Sequence, residues 1–157
     1  MDVSRLGTPL FVRAYLTSPS TPLPDYYVIP ARDTTGATIG VVLCMLNSQH
    51  TAMSVGEVVG YPAPRPAGMI TLLSAQDAVK AVSSQAHVSL KAGGAMELIY
   101  FPFDQSAEDT GKINWKAGGN TPYDPMWLVP GADGRDYLVV GGDGHVYAPS
   151  QLPVSQG

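Results

Sequence analysis

Tyr27-Val28-Ile29-Pro30-Ala31-Arg32-Asp33 and Trp127-Leu128-Val129-Pro130-Gly131-Ala132-Asp133 read alike. Each runs aromatic, aliphatic, aliphatic, proline, two further residues, aspartate. Each then reaches a glycine, Gly36 or Gly134, and a second apolar run, Ile39–Leu43 or Tyr137–Val140. In physical terms this is a strand, a proline that ends its ladder, an Asx- and Gly-rich turn, and a return strand. The spacing predicts a chain built from two related halves, 10–61 and 70–149, within one domain spanning 1–157.

Outward from the second copy, the chain contains a well-marked helix. Ser74 is a good N-cap, because its hydroxyl can accept an orphan N–H of the first turn. Asp77, three residues on, supports that start and sits favourably at the positive helix end. Ala75, Ala78, Val79, Val82 and Ala86 make one apolar stripe, with Gln76, Lys80, Ser83 and Ser84 opposite. The stripe is small, so a helix over 74–86 is expected to lie close against a sheet.

The remaining apolar runs read as strands: Phe11–Leu16, Tyr26–Ile29, Ile39–Leu46, Met53–Tyr61, Val88–Leu90, Met96–Phe103, Met126–Val129, Tyr137–Val140 and His145–Tyr147. Ile39–Leu46 is continuously apolar, which suits a central strand covered on both faces. Pro62–Gly68 (PAPRPAG) reads as a connector, and Gln105–Pro125 as a long polar loop. Asp133-Gly134 and Asp143-Gly144 flanked by apolar runs are hairpin signals, because the turn needs positive φ. The expected class is α+β: a twisted antiparallel sheet of six to eight strands with one helix on a face.

The helix-then-meander order resembles the small units called PepSY or cystatin-like domains. The residues carrying the resemblance are Ser74-Ala75-Gln76-Asp77-Ala78, Glu97-Leu98-Ile99-Tyr100-Phe101-Pro102, Trp127-Leu128-Val129-Pro130, and Tyr137-Leu138-Val139-Val140 with Asp143-Gly144-His145-Val146-Tyr147. They span roughly half the chain, and the first half resembles the same unit without its helix. The resemblance implies an extracellular or envelope location in bacteria and a non-enzymatic role, such as peptidase inhibition or protein binding.

Composition narrows the function classes. Charged residues are 14% of the 157, against roughly 25% in an average soluble protein. Gly and Pro together number 31, which is turn-rich but short of low complexity. Residues 97–157 hold eight acids and three bases. Nowhere do Lys and Arg cluster, so no nucleic-acid footprint is expected. No apolar run reaches the roughly 18–20 residues of a membrane span. Met1-Asp2-Val3-Ser4-Arg5 lacks the basic and apolar blocks of a signal peptide.

Catalytic and metal motifs are weak. Cys44 lies in Val41-Val42-Leu43-Cys44-Met45-Leu46, where apolar neighbours bury a thiol and suppress its ionisation. A cysteine–histidine enzyme using it with His50, His87 or His145 is the least favoured reading. The histidines lack zinc-site spacing, and Asp133, Asp136 and Asp143 lack calcium-loop spacing. No cofactor is expected. Six of the thirteen aromatics (Tyr100, Phe101, Phe103, Trp115, Tyr123 and Trp127) fall within 28 residues. The cluster reads first as a loop folded back to cap the sheet, with the aromatics as its core; as a patch that grips a partner, its candidate binding residues are Phe103, Trp115, Tyr123 and Trp127. The favoured function is a non-catalytic module that binds a protein through a sheet edge or this aromatic loop. A self-assembling subunit of a particle or filament is the alternative.

Overall fold

Strands β1 (Leu10–Ala14), β2 (Tyr26–Arg32), β3 (Thr38–Leu46) and β4 (Met53–Arg65) form one antiparallel meander. Strands β5 (Glu97–Tyr100), β6 (Met126–Pro130), β7 (Asp136–Val139) and β8 (Val146–Tyr147) form another. A computed structural model of the chain describes residues 5–14, 24–71, 73–100, 122–140 and 144–148. In it the two meanders join into a single sheet, in the order β4-β3-β2-β1-β5-β6-β7-β8. Helix α1 (Ala75–Gln85) packs across β6, β7 and β8. The described residues are thus mostly β, with one small helix.

The seam corrects the expectation of an all-antiparallel sheet. β1 and β5 run parallel, pairing Val12 with Leu98 and Ala14 with Tyr100. Hairpin signals mark only strands joined by short turns. A pairing between strands more than eighty residues apart leaves no such mark.

The prolines are a second correction. Pro30 and Pro130 lie inside their strands, opposite Val41 and Asp136. In an antiparallel ladder a residue's N–H and C=O point to the same side. The Pro30 carbonyl accepts from Gly7 N–H (2.7 Å), and the Pro130 carbonyl accepts from Lys91 N–H (2.9 Å). Each missing N–H therefore falls on the side where β1 or β5 has not yet begun. β4 likewise runs through Pro62 and Pro64 to Arg65, because an edge strand needs donors on one side only. Val88–Leu90 is not a strand; Leu90 makes a single bridge to Gly131. The expected strand 96–103 is described only as far as Tyr100.

Both turns after the proline form through aspartate. Asp33 Oδ1 accepts the N–H groups of Thr35 (2.8 Å) and Ala37 (3.1 Å). Asp133 Oδ1 accepts from Arg135 N–H (3.1 Å), and its other oxygen from the Tyr137 hydroxyl (2.7 Å). The Thr35 hydroxyl also donates to Asp33 Oδ1 (2.7 Å). It and the Tyr137 hydroxyl on Asp133 do most to hold the two carboxyls below the usual carboxylate range, with the backbone N–H groups adding to it. Gly36 (φ 87°) and Gly134 (φ 82°) supply the left-handed residue that completes each turn. At α1, Ser74 Oγ accepts from Asp77 N–H (3.1 Å) and donates to its carboxylate (2.7 Å).

The halves match residue for residue in register. Val12 opposes Tyr26 as Ile99 opposes Met126. Val28 opposes Leu43 as Leu128 opposes Leu138. Tyr27 opposes Cys44 as Trp127 opposes Val139. Because β1 and β5 are parallel neighbours, superposing the halves requires rotation about an axis along the strands. That rotation exchanges the two faces of the sheet. The helix-side face carries Val12, Tyr26, Val28, Val41 and Leu43 in the first half, buried beneath Ile70. In the second half it carries Trp127, Val129, Tyr137 and Val139, packed against Ala78 and Val82 of α1. Period-two alternation puts Ile99, Met126, Leu128 and Leu138, all buried, on the opposite face.

Candidate functional site

The order of strands leaves β4 and β8 at the two ends of the sheet. β8 has two residues, too few to template another chain. β4 has thirteen and, among the described residues, pairs only with β3. A register shift between Leu43 and Cys44 marks a bulge that places Met53, Val55 and Val58 on one face. Their exposures are 60%, 69% and 57%, and Phe11, on the same face, is 42% exposed. Within Met53–Tyr61 the single charge is Glu57. A long edge with apolar side chains and little charge is what folded proteins ordinarily avoid. Pro62 and Pro64 blunt its far end.

The sequence reading missed this surface. Ser54-Val55-Gly56-Glu57-Val58-Val59-Gly60 reads as an ordinary strand. Only the assembled order shows that one of its sides has no strand beside it among the described residues.

Of the predicted binding residues, Phe103 and Trp115 lie outside the described residues. Tyr123 packs partly buried against the first-half core. Trp127 is half-buried and touches both core clusters. Its indole N–H donates to the Leu73 carbonyl (2.9 Å), which fixes the ring. Trp127 also lines an open cleft of about 330 Å³ at the seam, with Leu10, Phe11, Met96 and Leu98. Arg13 and Glu97 stand at the same cleft, paired at 2.6 Å. The cleft exists because Leu10 and Phe11 precede the β1–β5 ladder. Trp127 and Tyr123 both pack against the first-half core, and Trp127 also borders the seam cleft.

The segment before β6 is tied to the first half by phenols and a guanidinium. The Tyr26 hydroxyl donates to the Pro122 carbonyl (2.7 Å). The Tyr61 hydroxyl lies 3.1 Å from the Tyr123 carbonyl and 3.2 Å from that of Ile70. Arg65, buried, donates to the Ile70 carbonyl, pairs with Asp124 at 3.2 Å, and sits 3.6 Å over the Tyr61 ring. Burial pushes the Tyr61 hydroxyl up to about 12, and raises that of Tyr26 further. Both phenols stay neutral donors at physiological pH.

Cys44 is buried in β3. His50, its nearest histidine in sequence, pairs instead with Asp25 at 3.0 Å. A thiol reagent at neutral pH is expected to label Cys44 only as the chain unfolds, with labelling tracking the denaturant transition. Fast stoichiometric labelling of the folded protein would contradict this. Asp133 is engaged by its turn, Asp136 lies in β7, and Asp143 lies outside the described residues. Among the described residues no group of three or more His, Cys, Asp or Glu is placed to hold a metal ion, and no helix is long and apolar enough to cross a membrane.

No protein-family model, curated protein or solved structure matches the chain.

Proposed function

We propose that this chain is a non-catalytic protein-binding module that takes up an extended segment of its partner along β4. The observation carrying the reading is the outer edge of β4, thirteen residues long and unpaired among the described residues, with Met53, Val55 and Val58 in solvent. Strand addition to such an edge gains affinity from main-chain hydrogen bonds and specificity from alternate side chains. The resemblance to PepSY and cystatin-like units supports the same class of role and an extracellular or envelope setting.

The same edge also favours a second reading, self-assembly into a particle or filament, since another β4 is an equally extended segment. Hydrogen exchange separates these readings from others. In a complex with a protein partner from the native source, the β4 amides are expected to gain protection. A complex that leaves β4 exchange unchanged sinks strand addition. Sedimentation of the chain alone distinguishes the occupants. A monomer at all concentrations supports a foreign partner, and growth with concentration supports self-assembly.

A further inference from the structure

At the far end of the sheet from β4, a side chain does the work of a strand. β8 pairs with β7 through two residues, Val146 with Val139 and Tyr147 with Leu138. The His145 carbonyl accepts from Val140 N–H (3.1 Å), so the His145 main chain faces β7. The Gly144 carbonyl and the Val146 N–H therefore face away from β7. Gln85, the last residue of α1, meets both. Its Nε2 donates to the Gly144 carbonyl (2.8 Å), and its Oε1 accepts from Val146 N–H (3.1 Å). A residue of a parallel neighbouring strand would make the same two bonds, giving its N–H to one carbonyl and taking the N–H two residues further on. The Gln85 side chain is exposed, and a cleft of about 280 Å³ bordered by Arg135, Tyr137, Val146 and Ala148 opens beside it. Water can therefore compete for these bonds.

We infer that Gln85 is a latch: through it α1 holds β8 on the sheet and keeps β7 from becoming a second docking edge, which β4 of another copy would occupy. The inference rests on the reading of β4 as an edge that adds strands. Two paired residues give β8 little hold of its own. Behind it, β7 offers four residues, Asp136–Val139, with no proline and one charge. Tyr137, Leu138 and Val139 are apolar on both faces and buried. With β8 displaced, β7 would end the sheet among the described strands. Such a bare, apolar edge invites another chain. β4 of a second copy is an extended segment with apolar side chains to match. Pairing β4 of one copy with β7 of the next is head to tail, so it does not close on itself and copies add in series. The latch thus leaves the sheet one long edge in place of two.

The test is Gln85→Ala in the full chain. Alanine is the better helix former, so the change removes the amide without weakening α1. In residue-resolved hydrogen exchange, the Val146 and Val140 amides are expected to exchange about tenfold faster than in the parent. Gln85→Glu keeps the acceptor for Val146 N–H and loses the donor to Gly144, and its rates are expected to fall between the two. In sedimentation, the alanine variant is expected to form species larger than those of the parent, growing with concentration, with the β4 amides protected within them. Acceleration at Val146 alone would show that β8 stays in place without the amide, and overturns the latch. Unchanged exchange at both residues overturns it as well. Acceleration at both with sedimentation like the parent's overturns the second docking edge. Larger species whose β4 amides stay unprotected overturn β4 as the occupant, and strand addition with it, while the Val140 rate still reports the latch.

Discussion

Trp127→Ala is expected to destabilise the chain by about 3 kcal/mol, the low end for truncating a core aromatic, because the ring is half-buried. A domain of this length should then melt roughly 6–12 °C lower. The ring touches both hydrophobic clusters and borders the seam where the halves meet. Removing it opens a void beneath α1 and strips the Leu73 carbonyl of its indole donor. Trp127→Phe keeps most of the ring but not the N–H, and should cost only about 1 kcal/mol. Thermal and urea melts of both variants check this order. An alanine variant as stable as the parent would show that Trp127 is a surface residue available wholly for binding.

Arg65→Met should cost a similar amount, about 3 kcal/mol, for an electrostatic reason. Arg65 is buried, and its guanidinium serves the Asp124 carboxylate, the Ile70 carbonyl and the Tyr61 ring together. Removing one partner of a buried pair leaves the other charge poorly compensated in a low-dielectric site. Asp124→Asn introduced into Arg65→Met is expected to recover part of the loss. A double-mutant cycle in urea measures the coupling. Strict additivity of the two changes would mean that the pair does not act as a unit.

Local chemistry was legible in the sequence wherever a short-range rule decided it. Ser74 capped its helix as expected, because the N-cap needs only a hydroxyl and the following turn. Gly36 and Gly134 turned their hairpins, because positive φ is a single-residue property. The prolines were misread because strand termination depends on what lies alongside. Pro30 and Pro130 continue their strands where the neighbouring strand has not started. Long-range pairing was not legible at all. Nothing in Leu10–Ala14 announces a parallel partner at Glu97–Tyr100. The candidate surface depends on the assembled strand order, which leaves β4 outermost among the described strands. Aromatic clustering drew attention to Trp127 and Tyr123, which the fold uses largely for packing. Met53, Val55 and Val58 drew none, because an exposed valine and a buried one are written alike.

The parallel seam also orders the assembly of the chain in time. Within each meander the last three strands, β2 to β4 and β6 to β8, are joined by short turns, so those contacts are local and cheap in loop entropy. The β1–β5 ladder instead joins residues 86 apart, Val12 to Leu98. Long-range pairings of this kind are slow to form. The two meanders can gather independently as the chain emerges, and their union is the step that sets the pace. Until it happens, β1 and β5 are themselves bare edges. The molecule thus passes through a stage with more open strand than it keeps, and the seam is where misassembly between copies would begin.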